Sequence, residues 1–303
     1  MAKHRIVRNI LLGSLGLFLL FALVVVPWFF TNIVTTGSFH FHDPNDGKTP
    51  LSFGLNYHDI EFHSSDGILL KGWYVPAGAN PRGTIIYCHG HDRTRVEMLP
   101  MAVFGHSLGY NGLLFDFRHA GRSGGKICTL GYQERLDAIA AVHDALVREK
   151  AARPVVLWGV SMGAAAALMA ASQSPDVAAV ISDSSFLSFR HVIVHYARLF
   201  FHLPAFPIVD EVIQWSAWRG GFSPSDFDLR KAVERINPRP ILFIAVKGDK
   251  RIPAATASEL YSYSTSPQKA LVVLPGHRHG EGFTSGNVEY EQAVRKFLEN
   301  LTP

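Results

Sequence analysis

The hydrophobic pattern divides the chain into one long apolar run near the N-terminus and a series of short apolar runs after it. Residues 10–30 contain no Asp, Glu, Lys or Arg. At 1.5 Å per residue a helix of that length spans about 31 Å, close to the ~30 Å hydrocarbon core of a bilayer. The pattern predicts a transmembrane anchor at 10–30, preceded by a short N-terminus at 1–9 and followed by a loosely packed linker at 31–55.

From residue 56 onward, short apolar runs alternate with helical patterns. The runs 57–62 and 69–75 flank a Ser65-Asp66-Gly67 turn, which predicts an antiparallel hairpin. The later runs end at Gly, Pro, Asp or Ser and are separated by helical stretches, which is typical of a parallel sheet with crossover helices. The predicted strands are 84–88, 112–115, 155–158, 179–182, 241–245 and 270–274, and the predicted helices are 95–109, 132–150, 162–172, 255–262 and 287–300.

One connection, at 184–239, is far longer than an ordinary crossover. It is also too rich in aromatic residues for a solvated loop. We expect a small helical cap that covers the site and shapes an apolar pocket; the alternative is a long crossover whose aromatic side chains cover the sheet. The aromatic residues are Phe186, Phe189, Phe200, Phe201, Phe206, Trp215 and Trp218.

Composition and charge narrow the function classes. A chain of 303 residues with 48% hydrophobic content suits one large α/β domain. The net charge of +4 is mild and the basic residues form no run, so nucleic-acid binding has little support. The two cysteines, Cys88 and Cys128, imply no disulfide framework; the sequence leaves their pairing open and favours a buried free thiol at Cys88. Nothing in the pattern fixes an oligomeric state.

The charges around the apolar run predict its orientation. Lys3, Arg5 and Arg8 precede the run, whereas 31–47 contains no Lys or Arg. The positive-inside rule then places the N-terminus in the cytoplasm and the rest of the chain on the periplasmic or lumenal side of the membrane. A cleaved signal peptide is the main alternative, but Thr35-Thr36-Gly37-Ser38 matches a cleavage site poorly. A buried helix is the other, and the run has no polar face to support it.

The most specific motif is Gly159-Val160-Ser161-Met162-Gly163, between an apolar strand and an alanine-rich helix. A G-x-S-x-G sequence in that context predicts a sharp strand-to-helix turn that presents the serine hydroxyl at the sheet edge. Ser161 is therefore the candidate nucleophile.

A serine nucleophile requires a histidine base and an acid that orients it. Asp249 follows the strand 241–245 and His279 follows the last strand, so both emerge at the edge that carries Ser161. His277 is an alternative base, and Asp183 is an alternative acid or a capping residue of the following segment. We interpret Asp116 as a structural partner of Arg118.

Residues from about 55 to 301 resemble the α/β-hydrolase superfamily, in particular small membrane-anchored serine hydrolases related to monoacylglycerol-type lysophospholipases and depalmitoylases. The resemblance is carried by Cys88-His89-Gly90-His91, by Asp116-Phe117-Arg118 with the glycine-rich 121–125, and by Gly248-Asp249 with Ile252-Pro253. His119-Ala120 departs from the usual glycine of that turn. The resemblance implies a mostly parallel eight-stranded sheet with helices on both faces, and an oxyanion hole formed by the backbone N–H groups of Met162 and His91.

The predicted function is hydrolysis of an ester or thioester, on a lipid-like or acylated substrate, with no cofactor. A serine peptidase with the same triad and a catalytically silent hydrolase fold that only binds a partner are the alternatives. Metal chemistry is disfavoured, because His89-Gly90-His91-Asp92 stops short of a full ligand set and would leave the Ser161 motif unexplained.

Overall fold

A mostly parallel eight-stranded sheet forms the centre of the computed structural model, which describes residues 2–36, 42–283 and 288–301. The strand order is β1-β2-β4-β3-β5-β6-β7-β8, and β2 is antiparallel to both neighbours. The predicted hairpin and parallel sheet are confirmed. The strands are β1 (His58–His63), β2 (Leu69–Val75), β3 (Gly83–Cys88), β4 (Tyr110–Phe115), β5 (Val155–Val160), β6 (Val177–Asp183), β7 (Ile241–Val246) and β8 (Lys269–Leu274).

The central strands are continuously apolar because helices cover both faces of the sheet. Every residue of β3, β4, β5 and β7 is buried, whereas the edge strand β1 alternates between exposed and buried positions. In register, Cys88 pairs with Gly159 and Gly159 pairs with Ser182. The carboxyl ends of β3, β5 and β6 therefore lie side by side at one edge.

The helices form two layers. Helices α3 and α10 pack on one face of the sheet, and α4, α5, α8 and α9 pack on the other. The predicted helix 287–300 begins at Val288, and Asn287 lies outside the described residues. The bounds are α3 (Leu99–Ser107), α4 (Glu134–Val147), α5 (Met162–Ala171), α6 (Phe189–Phe201), α7 (Asp210–Gly220), α8 (Leu229–Arg235), α9 (Ala254–Tyr263) and α10 (Val288–Glu299).

The long connection between β6 and β7 combines features of both predicted alternatives. Its last helix, α8, is an ordinary crossover helix that packs on α5 and α9. Its first helix, α6, lies against the loop after β7, where Nε2 of His195 is 2.9 Å from the carbonyl oxygen of Lys250. Phe186 and Phe189 are buried in the core, but Phe206 and Trp218 are 75% and 82% exposed. Part of the aromatic content is therefore structural and part faces outward.

The N-terminal helix is longer than predicted. It runs as α1 (Ala2–Leu20), a π-helical segment (Phe21–Val25) and α2 (Val26–Thr36). The linker predicted at 31–55 is thus wrong over its first residues, since Thr31 and Thr35 are buried against the domain instead of packing loosely. The linker residues 37–41 lie outside the described ranges.

Polar contacts from α7 and from the loop after β4 fix the end of α2 on the domain. Nη1 of Arg219, on α7, lies 2.7 Å from Oδ1 of Asn32 and 2.9 Å from Oγ1 of Thr35. The backbone N–H of Cys128 donates to the carbonyl oxygen of Thr35 at 2.7 Å. The Arg219 contacts hold α2 directly against α7, and the Cys128 contact holds it against the loop between β4 and α4.

Candidate active site

Ser161 occupies a strained turn between β5 and α5. Its backbone has φ 55° and ψ −115°, a conformation that non-glycine residues rarely adopt. The backbone N–H of Ser161 donates to the carbonyl oxygen of Asp183, at 2.8 Å, and this bond ties the turn to the neighbouring strand. Because α5 begins at the next residue, the turn lies at the N-terminal end of a helix.

The flanking glycines are required by close backbone packing. A Cβ atom on Gly159 would overlap the carbonyl of Gly163, and a Cβ atom on Gly163 would overlap the carbonyl of Cys88. Neither obstacle is a movable side chain, so glycine is needed at both positions. The second contact also shows that the turn packs directly on the loop that begins at His89.

The structure brings Ser161, His279 and Asp249 into one hydrogen-bonded chain. Nε2 of His279 lies 2.8 Å from Oγ of Ser161, and Nδ1 of His279 lies 2.6 Å from Oδ2 of Asp249. These distances join a hydroxyl, an imidazole and a carboxylate in the order that nucleophile activation requires. The three residues come from the ends of β5, β8 and β7, which the sheet places at one edge.

The Asp249 carboxylate is held from both sides. Its Oδ1 accepts the backbone N–H groups of Arg251, at 2.8 Å, and of Ile252, at 3.0 Å, while Oδ2 faces the imidazole. The side chain has no solvent-exposed surface. These backbone N–H donors fix the orientation of the carboxylate toward His279.

His277 takes a different position from His279. Its side chain is exposed, and its backbone N–H, like that of Arg278, donates to Oε1 of Glu281. These backbone N–H donors hold the pKa of Glu281 below its usual range. The loop after β8 therefore uses Glu281 to hold its turn and presents His279 to Ser161.

The two residues predicted to form the oxyanion hole lie in different segments, Met162 at the start of α5 and His91 in the loop after β3. Met162 is the first residue of α5, so its N–H has no partner one helical turn earlier within that helix. The imidazole of His91 turns toward Asp92, with Nδ1 3.2 Å from Oδ2. The role of the Met162 and His91 N–H groups in an oxyanion hole stays a prediction.

Two side chains, those of Glu97 and His89, hold the loop after β3, and sequence reasoning missed the first of them. Oε2 of Glu97 accepts the backbone N–H of Gly90 at 2.6 Å, and burial raises the pKa of Glu97 to about 7. His89 is buried; its Nε2 accepts the N–H of Phe117 at 3.0 Å, so its Nδ1 carries the proton and donates to the carbonyl of Gly90 at 2.8 Å. Burial lowers the pKa of His89, in agreement with a neutral ring. His89 belongs to a motif that was recognised, but Glu97 has no local signal.

Asp183 lies at the end of β6 and makes a separate network. Its carboxyl group accepts hydrogen bonds from Oγ of Ser184, at 2.8 Å, and from the hydroxyl of Tyr290, at 2.9 Å. Burial raises the pKa of this carboxyl group. His279 points to Asp249 instead, so the structure favours Asp249 over Asp183 as the acid that contacts the imidazole.

Asp116 has a structural environment, but its partner was predicted wrongly. Its two carboxyl oxygens accept the backbone N–H groups of Arg95 and Arg122, each at 2.9 Å. Arg118 instead forms ion pairs with Asp66 and Asp137, each at 2.7 Å. The carboxylate of Asp116 therefore holds two loops together.

Both cysteines are free and buried, as expected for Cys88, and burial raises the pKa of both thiols. Among residues 2–36, 42–283 and 288–301, no group of three or more His, Cys, Asp or Glu side chains is arranged to hold a metal ion.

The strand order and the position of this site define a known class of protein. Residues 84–218 match the family model for the alpha/beta hydrolase fold. The uncharacterized protein YqkD of Bacillus subtilis is 30% identical over 241 residues, which cover 78% of each chain. The chain belongs to the α/β-hydrolase superfamily.

Two further similarities cover more of the chain. The uncharacterized protein YfhR of Escherichia coli K12 is 27% identical over 94% of this chain and 95% of its own, so the match extends into the N-terminal helix. Among solved structures, an esterase of Pyrococcus furiosus, PF2001, superposes with a TM-score of 0.72 and 25% identity, covering 85% of this chain and 96% of the esterase. The chain is thus a hydrolase-fold protein with esterases among its structural neighbours.

Proposed function

We propose that this chain is a membrane-anchored serine hydrolase that cleaves an ester or thioester carrying an apolar acyl group. The observation that carries the proposal is the continuous hydrogen-bonded chain from Ser161 through His279 to Asp249. The likeness to an esterase of Pyrococcus furiosus supports the ester class.

The geometry supports acyl transfer in two steps. Oγ of Ser161 attacks the acyl carbonyl while Nε2 of His279 takes its proton; the same proton then passes to the departing alcohol or thiol. Water attacks the acyl-enzyme in the second step, again through His279, and releases the carboxylic acid. Asp249 orients the imidazole and stabilises its protonated form. The N–H groups of Met162 and His91 stabilise the oxyanion.

A retained membrane anchor is supported by packing at the end of the helix. The span Lys3–Thr36 has a window of mean hydropathy 2.7 that is only 6% buried within the chain. In contrast, Thr31 and Thr35 are buried in the domain and Arg219 bonds to Asn32 and Thr35. Removal of the span as a signal peptide would take away these partners. By the charge rule the catalytic domain lies on the periplasmic or lumenal side.

A fluorophosphonate probe tests the nucleophile. The wild-type protein should be labelled covalently and Ser161→Ala should not, whereas Ser225→Ala, which changes an exposed serine, should be labelled like the wild type. Labelling that persists in Ser161→Ala contradicts the assignment. Absence of labelling in a folded wild-type protein supports the silent binding protein instead.

Substrate class is tested separately on the same preparations. p-Nitrophenyl esters from acetyl to palmitoyl, an acyl thioester and short peptide amides should be compared. Turnover of the esters or thioester, with longer chains preferred, is expected; faster turnover of the peptide amides identifies a peptidase. Protease accessibility of the domain in sealed vesicles tests the orientation.

A further inference from the structure

The outward tip of the cap is a mostly apolar segment whose one titratable side chain is the exposed His202. Residues 199–209, called the cap tip here, contain no Asp, Glu, Lys or Arg. Phe200, Phe201 and Phe206 are 48%, 50% and 75% exposed. Three exposed phenylalanines within one short segment are costly in water and typical of a surface that contacts another apolar phase.

The cap tip lies beside the N-terminal helix. Residues Ala205–Val209 approach the π-helical segment Phe21–Val25, with Cα atoms within 8 Å of each other. The ring of Phe201 packs edge-on against the ring of Phe30, with 4.7 Å between centroids. Helix α7 continues from the cap tip along α2 as far as Arg219, which bonds to Thr35. Helix α7 and the N-terminal helix therefore run side by side in the same direction.

This arrangement sets the depth of the cap tip relative to a bilayer. If the span 10–30 crosses the membrane, Phe21–Val25 lies about 8–14 Å inside the end of the span, at 1.5 Å per residue. A segment in contact with Phe21–Val25 cannot remain in water while the helix is in lipid. Charged residues begin on either side of the cap tip, at Arg198 and Asp210, and Asp210 is paired with Arg190 at 2.6 Å.

We propose that the cap tip is inserted into the bilayer leaflet nearest the hydrolase domain and forms a second membrane attachment beside the spanning helix. The partner is the acyl-chain region of the phospholipids. A soluble protein partner is disfavoured because the surface is continuous with a helix that lipid surrounds. The inference rests on the proposed membrane anchor and goes beyond it, since an anchor alone requires no contact between the cap and lipid.

Insertion would connect the lipid phase to the catalytic site through α6. Helix α6 ends at Phe201 in the cap tip, and His195, about 9 Å earlier along the helix, contacts the loop that carries Asp249. Apolar substrates in the leaflet would then lie one short helix from the triad. Trp218, on α7, is 82% exposed and lies beside the C-terminal part of α2. An interfacial tryptophan is expected at this level.

Fluorescence quenching in proteoliposomes tests the proposal on the full chain. Single cysteines are introduced as Phe206→Cys in the cap tip, Leu15→Cys in the span and Val147→Cys on α4, and each is labelled with an environment-sensitive fluorophore. Leu15 and Val147 are 53% and 57% exposed, so they are matched surface positions. The native Cys88 and Cys128 are buried, and wild-type protein taken through the same labelling reaction controls for any reaction at them. The vesicles contain phosphatidylcholine with a spin label on the acyl chain.

The expected result is a blue-shifted, strongly quenched emission at positions 206 and 15 and an unquenched, water-like emission at position 147. Quenching at position 15 without quenching at position 206 keeps the anchor and overturns the cap-tip proposal. Absence of quenching at both positions overturns the anchor itself, and the cap-tip proposal with it. Equal quenching at positions 206 and 147 shows general adsorption of the domain and also overturns the proposal.

Discussion

Oδ2 of Asp249 lies 2.6 Å from Nδ1 of His279, while the nearby carboxyl group of Asp183 is committed to Tyr290 and Ser184. Two buried carboxyl groups thus stand at the ends of neighbouring strands with different partners. The Asp249 carboxyl group contacts the imidazole of His279, and the Asp183 carboxyl group holds a separate hydrogen-bond network with Tyr290 and Ser184.

Asp249→Asn should therefore reduce kcat by about 10⁴-fold, because an amide favours the wrong imidazole tautomer and does not stabilise the imidazolium ion. Asp183→Asn should keep kcat within about tenfold, or ~1.4 kcal/mol of barrier. Steady-state ester hydrolysis by both variants measures the difference. A larger loss in Asp183→Asn would assign the acid to β6.

Substitutions of the two histidines in the loop after β8 should likewise differ in their effect on kcat. His279→Ala removes the proposed general base and should lower kcat by about 10⁴–10⁶-fold, at least as much as Asp249→Asn. His277→Ala should leave kcat close to wild type, because the side chain is exposed and the backbone N–H that donates to Glu281 is kept. If His277→Ala shows the larger loss, the proposed base is wrong.

The Arg219 contacts with α2 should contribute to stability. Arg219→Ala removes hydrogen bonds to Asn32 and Thr35 and should cost about 1–3 kcal/mol of unfolding free energy. For a domain of this size, each kcal/mol lowers the unfolding temperature by about 2–4 °C. Thermal unfolding in detergent micelles measures the shift.

Arg153→Ala is the matched control, since Arg153 pairs only at the exposed surface with Asp176, at 2.7 Å. Surface pairs contribute about 0–1 kcal/mol. Equal shifts in the two variants would show that the helix is not held by Arg219.

Glu97 should make stability depend on pH. Burial raises the pKa of Glu97 from 4.5 to about 7. Between pH 4.5 and about pH 7, the folded protein therefore binds more protons than the unfolded chain. Stability contributed by this group is therefore present at low pH and is lost as pH rises toward 7. Glu97→Gln keeps an acceptor for the Gly90 N–H without the ionisation.

Above about pH 7, the free energy of unfolding of Glu97→Gln should consequently exceed that of the wild type by on the order of 1–3 kcal/mol. Near about pH 4.5 the two proteins should differ little. Urea unfolding of both proteins across this range measures the effect. A constant difference at every pH would rule out titration of Glu97 as the cause.

The sequence was most informative where function depends on strand ends. Ser161, Asp249 and His279 each follow an apolar strand, so chain order and sheet edge were enough to predict that they meet. The partner of Arg118 was not predictable, because Asp66 and Asp137 approach it only through the tertiary fold.

The end of the N-terminal helix was likewise not predictable from the local sequence. Residues 31–36 are Thr-Asn-Ile-Val-Thr-Thr, mostly β-branched and of low helix propensity, so local preference predicts a linker. Contacts with α7 override that preference. Nothing in the local pattern reveals those contacts, since Arg219 is distant in sequence.

Continuity between α2 and the domain changes what the N-terminal segment does mechanically. A flexible tether lets a domain tumble and sample many heights above a surface, whereas a helix packed on the body transmits its own tilt to everything attached to it. In a membrane, the domain would turn mainly about the helix axis and keep one side toward the lipid. Bond cleavage would then be restricted to a thin layer at a fixed height relative to the membrane. The position of a scissile bond in that layer would select substrates before their fit to a pocket does.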